Sequence, residues 1–346
     1  MYIEKIEIQG FRNLKEKTGF DLVNNKNLIY GSNGSGKTSV LESIYVLGFG
    51  KSFLNVKRDE ILNENSNEFL IKAILRGENS TYELKAFYQK AFEVYLYNEK
   101  QNIYNIGKYL FPVYFSSSNY THYVESRSYL RKMIDRFIYG IDPVYAKELI
   151  EYNRIIKQKS HLLKFGGNIS QLTGWNRSLS ETMEVILKKR TGFLNKLNTE
   201  IADNFRNGLN VKYISDLFDA GETDTDKNLI LDKLNKIRDR EIFSKRILKG
   251  THLDVFEIYY MSKQLKYFSS GEKKINLLLL YLSYIEIFKK IRGEYPVFLI
   301  DDYDTAMDKK NIGLLTEKYP KMQIIATSVK KNSDFINLIK LKNHFL

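Results

Sequence analysis

Eight consecutive residues, 31–38, have the types and the spacing needed to hold phosphate groups. Their letters, GSNGSGKT, satisfy the pattern G-x-x-x-x-G-K-[ST] at every position. Glycines let backbone N–H groups turn toward phosphate oxygens, and the dipole of a following helix adds partial positive charge. Lys37 can reach the β- and γ-phosphates, and the Thr38 hydroxyl can bind Mg²⁺. The sequence therefore predicts a site for a nucleoside triphosphate.

The residues on both sides of this loop predict the elements that such a site requires. Residues 27–30 have the pattern of a short strand, and apolar residues recur at helical spacing from 40 to 47. A chance glycine-rich turn before a helix is the alternative, and the agreement of both flanks disfavours it. The predicted nucleotide contacts in this region are Asn33, Gly34, Ser35, Gly36, Lys37, Thr38 and Ser39.

Two adjacent carboxylates, Asp301 and Asp302, follow an apolar run at 297–300 that predicts a buried strand. A carboxylate at a strand tip beside a phosphate loop can hold Mg²⁺, and its neighbour can polarise the attacking water. We assign Asp301 to the metal together with Thr38, and we assign Asp302 and Lys37 to catalysis. The alternative is an acidic turn without a chemical role, which the presence of the phosphate loop disfavours.

A second turn could also bind an anion. Ser269, Ser270 and Gly271 precede Glu272 and a predicted helix that begins near Lys273. The N-terminus of a helix that follows such a turn is a possible phosphate site. The same residues can form a plain helix cap, with a serine at the cap and an acidic residue in the first turn. Spacing alone favours the cap.

The composition is that of a basic globular chain without cysteine. The 346 residues include 54 Lys and Arg against 41 Asp and Glu, which gives a net charge of +13, and 43% are hydrophobic. The lack of cysteine excludes a disulfide framework and a cysteine zinc site. The positive surplus suggests an anionic partner, nucleic acid first and a membrane surface second, although a lysine-rich proteome would also produce it.

No segment predicts export or membrane insertion. The first residues alternate and include acidic side chains, unlike a secretory signal. The longest apolar run, 275–288, is shorter than the roughly 18–20 residues that span a bilayer. We expect a cytoplasmic protein that does not enter a membrane.

Hydrophobic periodicity predicts an α/β fold in which one domain interrupts another. Strand patterns dominate the first third, helical spacing dominates the middle, and strands alternate with helices in the last hundred residues. We predict one domain from 1–119 and 249–346, with a helical lobe inserted at 120–248. His252 and Asp254 could be metal ligands, but a polar turn is the better interpretation because no further ligand cluster accompanies them.

The order of these motifs resembles the head of ABC-type ATPases, and the details resemble the RecF family. Residues 8–14 (IQGFRNL) are similar to the opening strand of that family, 126–136 resemble the entry to its helical lobe, and 300–302 (IDD) match its double aspartate. Three departures stand out: the signature turn lacks the usual glutamine, Leu253 replaces a usual arginine, and residues 327–328 stand where transporter-type ABC proteins have a histidine.

The resemblance implies an ABC-type ATPase head with a P-loop and mixed sheets, an inserted helical lobe, and ATP with Mg²⁺ as cofactors. It implies a weak ATPase that forms an ATP-dependent homodimer, in which two protomers enclose two ATP molecules and hydrolysis resets the protein. It adds further nucleotide contacts to those named above. These are Arg12, Asp308 and, in trans from the second protomer, Ser269, Ser270 and Gly271.

The partners implied by the resemblance are DNA, either double-stranded or at single-strand/double-strand junctions and gaps, and the proteins RecO and RecR. With them the family helps to load recombinase in recombinational repair and replication restart. Two alternatives stay open. A transporter subunit is disfavoured by the charge, the missing histidine and the inserted lobe, whereas an ATPase module of a nuclease or defence system differs mainly in its partner.

Overall fold

A computed structural model describes residues 1–116, 120–166, 168–218, 225–306 and 318–341. The chain divides into two compact units, Met1–Tyr120 with Phe288–Leu346, and Thr121–Ile287. We call them the loop unit and the helical unit. The domain boundaries that we predict from the sequence differ from this division in residues 249–287, and they stay a prediction.

The loop unit is mainly β-structure. Its strands are β1 (Tyr2–Gln9), β2 (Thr18–Asp21), β3 (Lys26–Tyr30), β4 (Phe69–Arg76), β5 (Thr81–Tyr88), β6 (Phe92–Leu96), β7 (Glu99–Gln101), β8 (Pro112–Ser116), β12 (Val297–Asp301), β13 (Ile324–Ser328) and β14 (Asn337–Lys340). Its described helices include α1 (Lys37–Phe49), α2 (Ile103–Ile106) and α10 (Tyr303–Ala306). One antiparallel sheet has the order β2-β1-β4-β5-β6-β7, and one parallel sheet has the order β14-β3-β13-β12-β8.

Helix α1 lies in the core between strands of both sheets. Leu41 and Ile44 belong to one buried cluster with Ile71 of the antiparallel sheet and Leu299 of the parallel sheet. Burial of each such side chain stabilises the fold by about 1.5–3 kcal/mol. Because apolar partners surround α1, its first turn, which follows the phosphate loop, is held firmly against the parallel sheet.

The parallel sheet brings the predicted chemistry together. Strand β13 lies between β3, which leads into the phosphate loop, and β12, which ends at Asp301. The carboxyl ends of parallel strands meet at one edge of a sheet, and ligands bind there where the strand order reverses. The sequence predicts strands at the positions of β3 and β12, and the structure gives the order that places β13 between them.

The helical unit contains α3 (Tyr120–Glu125), α4 (Arg127–Ile141), α5 (Val144–Phe165), α6 (Ile169–Asn204), α7 (Lys227–Lys236), α8 (Arg238–Ser244) and most of α9 (Ser270–Arg292). It also contains an antiparallel sheet of β11 (Lys263–Gln264), β10 (Val255–Tyr260) and β9 (Leu209–Ile214), in that order. Strand β9 lies inside the segment that the sequence predicts to be helical. It forms because Leu209 and Val211 alternate with polar residues and pair with β10.

A buried arginine ties the elements of the helical unit together. Arg190 of α6 is 2% exposed and forms two hydrogen bonds of 2.9 Å with the carboxylate of Asp135 in α4. It also donates to Asp254 Oδ2 at 2.7 Å and to the carbonyl of Thr251 at 2.8 Å. The hydroxyl of Tyr213 donates to the same Asp254 carboxylate. Each charge in this network therefore has its partners within the unit.

Among the described residues, no helix combines the length and the apolar character needed to cross a membrane.

Candidate nucleotide-binding site

The phosphate loop joins β3 to α1, as the sequence predicts. Gly36 caps the helix with φ of 96°, a left-handed conformation that favours glycine. A Cβ atom at Gly36 would lie 3.0 Å from Asn13 Oδ1, so a larger residue would also crowd the neighbouring segment. Gly34 has φ of 80° and open space around its Cβ position. A ligand can therefore come close to the backbone of the loop at Gly34.

Lys37 lies across its own loop. Its Nζ atom donates to the carbonyl oxygens of Gly31 and Ser32, each at 2.8 Å. The side chain is buried, which lowers the pKa of Lys37, and the negative charges of Asp302 and Asp301 oppose that shift. Two neutral carbonyls are weak partners for a buried cation compared with a polyphosphate. The position of Lys37 is that of a charge prepared for an anionic ligand.

Thr38 and Asp301 meet at the edge of the sheet. The Thr38 hydroxyl lies 3.2 Å from Asp301 Oδ1 and 3.1 Å from Oδ2. Burial raises the pKa of Asp301, and hydrogen bonds from Thr327 and Thr38 oppose that rise. A hydroxyl beside a carboxylate is a set of hard oxygen donors, which suits Mg²⁺. These two residues would hold the metal ion.

Asp302 differs from Asp301 in the exposure of its side chain and in the conformation of its backbone. Its side chain is exposed and lines the cavity above the phosphate loop. Its φ of 49° is in the left-handed region, which Asp adopts more readily than most residues other than glycine but which is still uncommon. Strained backbone of this kind often persists where function requires it. The structure thus places one carboxylate toward Thr38 and the other at the cavity.

Arg12 reaches the cavity but is already paired. Its Nε and Nη2 atoms donate to the two oxygens of Glu42 at 2.9 and 2.8 Å, and Nη1 donates to the carbonyl of Glu60 at 2.8 Å. Glu42 belongs to α1 and is 1% exposed. The pKa of Arg12 is raised, chiefly by its hydrogen bond to Glu42. This bidentate pair fixes the direction of the guanidinium, which lines the same cavity as Lys37.

Asn13 is a site residue that the sequence does not single out. Its Nδ2 atom donates to the carbonyl of Gly34 at 2.8 Å, and its Oδ1 atom accepts from the Ser39 hydroxyl at 2.8 Å. One side chain from the end of β1 thus clamps both the phosphate loop and the first turn of α1. The polar type of Asn13 directly after Arg12 is the only signal in the sequence.

A cavity of about 830 Å³ opens over these groups. Such a volume is within the range of small-molecule sites. Among the contacts predicted in the loop, Ser35 does not line this cavity. It is 2% exposed, and its hydroxyl has no hydrogen-bond partner among the described residues. The lining residues include Arg12, Asn13, Asn33, Gly34, Gly36, Lys37, Thr38, Ser39 and Asp302.

The Ser269 turn is a helix cap with an exposed face. The Ser269 hydroxyl lies 2.7 Å from Glu272 Oε2, and the Ser269 backbone N–H donates to the same oxygen at 3.1 Å. The amide of Glu272 points back to the Ser269 hydroxyl at 3.4 Å, which completes a capping box. Ser269, Ser270 and Gly271 remain accessible to solvent. Helix α9 begins at Ser270, three residues before the start predicted from the sequence.

Three other residues that the sequence analysis names are Asp308, Asp254 and His252. Asp308 lies outside the described residues. The Asp254 carboxylate is engaged by Arg190 and Tyr213, and His252 Nδ1 lies 2.6 Å from the Tyr152 hydroxyl. Within the described ranges, no group of His, Cys, Asp and Glu side chains is arranged to hold a metal ion. The polar-turn interpretation of this segment is the one that these contacts favour.

Comparison with curated proteins gives relatives that match nearly the whole chain. A family model described as the RecF/RecN/SMC N terminal domain matches residues 2–336. A "DNA replication and repair protein RecF" of Acetivibrio thermocellus is 30% identical over 347 residues, which cover 96% of this chain and 94% of the relative. The protein of the same name from Carboxydothermus hydrogenoformans is 31% identical over 320 residues, 90% of this chain and 88% of its own length.

Solved structures agree with this relationship. The recombination mediator protein RecF with "ATPrS" in the RecFOR pathway has a TM-score of 0.88 and 26% identity, covering 99% of this chain and 96% of that one. The Smc head bound to the C-winged helix domain of ScpA covers 99% of this chain and 95% of its own at a TM-score of 0.54 and 16% identity, and it shares the fold alone.

Proposed function

Because the chain belongs to the RecF/RecN/SMC N-terminal domain family, and within it to the RecF proteins, we propose that ATP makes it dimerise on DNA and that hydrolysis releases it. It is an ATPase of DNA replication and repair. The observation that supports this function most is the convergence of Lys37, Thr38, Asp301 and Asp302 at one edge of the parallel sheet.

The residues of the loop unit divide the work of hydrolysis. Lys37 exchanges two carbonyl partners for the β- and γ-phosphates and neutralises their charge. Thr38 and Asp301 would hold Mg²⁺, which would supply positive charge to the phosphate oxygens. Asp302 accepts a hydrogen bond from the attacking water, because its carboxylate lies at the cavity wall and is exposed. Arg12, which lines the same cavity and is fixed by Glu42, contacts the nucleotide.

The Ser269 turn acts on the nucleotide of the second protomer. Its three small residues are exposed at the start of a helix of 23 residues, where the dipole is positive. The capping box between Ser269 and Glu272 fixes the turn in the absence of a ligand. A γ-phosphate that accepts a hydrogen bond from the Ser269 hydroxyl would replace the hydrogen bond from that hydroxyl to Glu272. Each composite site would then contain the phosphate loop of one chain and the turn of the other.

The net charge of the chain and the names of its relatives support DNA as a partner. The net charge of +13 favours an anionic macromolecule, and relatives are named for DNA replication and repair. We further propose that the chain binds gapped or junction DNA and cooperates with RecO and RecR to load recombinase in the cytoplasm. The pathway named for one solved relative supports the last step. Each phosphate contact adds about −0.9 to the slope of log affinity against log salt on duplex DNA.

Sedimentation velocity tests the proposal. The protein is measured with and without ATP and Mg²⁺, and with and without a gapped duplex. We expect monomers without nucleotide, dimers with ATP, and a DNA complex that forms with ATP and dissociates as ATP is consumed. A chain that stays monomeric with saturating ATP and shows no ATP-dependent DNA complex would contradict the proposed function.

A further inference from the structure

Thr327 lies between the carboxylate of Asp301 and the backbone N–H of Asp302. It is the fourth residue of β13, the strand between β3 and β12, and its side chain is completely buried. Its hydroxyl lies 2.6 Å from Asp301 Oδ1 and 2.9 Å from the backbone nitrogen of Asp302. One side-chain atom therefore touches both residues that are proposed to hold the metal ion and the water.

The directions of these two hydrogen bonds are fixed by their chemistry. An amide N–H can only donate, so Asp302 donates to the Thr327 oxygen. The single hydroxyl hydrogen is then directed to the Asp301 carboxylate, which accepts. The bond to Asp301 is buried, because the Thr327 side chain is completely inaccessible to solvent. A valine at this position has nearly the same shape and would remove both bonds.

The bond to Asp302 matters because the backbone there is unfavourable. Asp302 has φ of 49°, and its carbonyl accepts hydrogen bonds from the amide and the hydroxyl of Thr305, each at 3.0 Å. Thr327 holds the N–H side of the residue, and Thr305 holds the carbonyl side. Without the Thr327 bond, the amide of Asp302 would have no partner and the left-handed conformation would lose one of its two restraints.

We infer that Thr327 is a positioning residue for ATP hydrolysis: its hydroxyl holds Asp302 in the backbone conformation that directs the carboxylate into the nucleotide cavity. This inference rests on the proposed role of Asp302. Here a short buried hydroxyl acts on the carboxylate next to the water and does not itself reach the cavity lining.

The test compares Thr327→Val with Thr327→Ser. We expect the valine variant to lose about 100-fold in kcat, the effect of a small misplacement of a catalytic group. Its affinity for a non-hydrolysable ATP analogue should stay near the wild-type value, because Lys37 is unchanged and Asp301 keeps its hydrogen bond from Thr38. The serine variant keeps the hydroxyl and should recover most of the turnover. Thr81→Val, an exposed change of the same type in strand β5, is the matched control.

A double-mutant cycle gives a readout that a general structural role would not produce. If Thr327 acts through Asp302, adding Thr327→Val to Asp302→Asn should not lower kcat further. Sedimentation adds a second readout, since both single variants should form an ATP-dependent dimer that lasts longer than the wild-type dimer. Thermal denaturation without nucleotide checks the fold, and Thr327→Ala replaces the valine variant if valine prevents folding.

Three results would overturn the inference. One is a folded Thr327→Val protein with wild-type kcat while Asp302→Asn is slow. Another is equal loss in the valine and serine variants. The third is a loss of nucleotide affinity as large as the loss of kcat. Wild-type turnover in Asp302→Asn would instead overturn the proposed role of Asp302, which separates that failure from the failure of Thr327.

Discussion

Both units of this protein bury charged side chains, but the two sets of charges differ in what remains available to a ligand. In the helical unit, Arg190 donates hydrogen bonds to Asp135, Asp254 and a backbone carbonyl. In the loop unit, Lys37 donates to two backbone carbonyl oxygens and lines a cavity of about 830 Å³. Burial of charge therefore does not mark a functional site by itself. A buried charge does mark a functional site when its hydrogen-bond partners are weak and it lies beside a cavity.

The largest effect should come from Lys37→Ala. We expect the variant to lose ATP-dependent dimerisation and turnover, because the phosphate loop loses the cation that neutralises the β- and γ-phosphates. Its melting temperature without ATP should stay near the wild-type value, since the lysine's partners are carbonyls at the edge of the cavity. Equilibrium binding of a fluorescent ATP analogue and a thermal melt measure both quantities. Normal ATP affinity and turnover in the folded variant would contradict the assignment.

Asp302→Asn should slow hydrolysis without preventing ATP binding. The change keeps the shape of the side chain but removes the anionic group, and a positioned general base typically contributes about 10²–10⁴ in rate. The ATP-bound dimer should consequently persist longer than in the wild type. Single-turnover hydrolysis and dimer lifetime are the measurements. Hydrolysis at the wild-type rate would show that another group orients the water.

Arg190→Met tests the other side of the comparison. Removing one partner from a buried ionic network typically destabilises a protein by about 3–5 kcal/mol. We expect a loss of this size in chemical denaturation. Arg190→Lys should recover little of it, because Lys lacks the fork that meets both oxygens of Asp135. At temperatures where the variant remains folded, its ATP affinity should be unchanged; reduced ATP affinity there would contradict the structural role.

His252 should make the helical unit sensitive to acid by a smaller amount. Burial, with help from the positive charge of Arg131, lowers the pKa of His252 to about 4. Below pH 6.5 the unfolded chain takes up a proton that the folded chain resists, so stability falls as the pH drops from about 6.5 to about 4. The loss is at most about 3.5 kcal/mol, since each pKa unit is worth about 1.4 kcal/mol.

The control for this prediction is His252→Gln, which cannot titrate in this range. Melting temperatures of wild type and variant, measured from pH 8 to pH 4.5, should differ by an amount that shrinks or reverses as the solution becomes acidic. Parallel curves across the whole range would show that His252 does not carry the pH dependence. Added Zn²⁺ should leave both curves unchanged, because the described part of the chain has no group of His, Cys, Asp and Glu side chains arranged to hold a metal ion.

The sequence predicts the chemistry that is local in the chain and misses what depends on strand order. The phosphate loop, the strand before Asp301 and the cap at Ser269 each lie within a few residues, so their patterns are visible. Thr327 is different, because its role exists only when β13 lies between β3 and β12. Asn13 is also different, because it contacts Gly34 across 21 positions of the chain.

Glu42 and strand β9 show the limits of periodicity. A carboxylate inside the apolar pattern of α1 is a signal of a buried partner, but only the structure identifies Arg12. Strand β9 has six residues within a segment dominated by helical spacing, and β10, its partner strand, begins 41 residues later, at Val255. Pairing at that distance cannot be derived from a local window.

The most direct test of the account is sedimentation velocity of Ser269→Arg with ATP and Mg²⁺. The comparison variants are Ser269→Ala, which removes only the cap at about 1 kcal/mol, and Ser170→Arg, which adds the same bulk to an exposed first turn of α6. We predict that Ser269→Arg binds ATP and stays monomeric, whereas wild type and Ser170→Arg dimerise. An ATP-dependent Ser269→Arg dimer of wild-type stability would mean that Ser269 is only a helix cap and that the composite site does not exist.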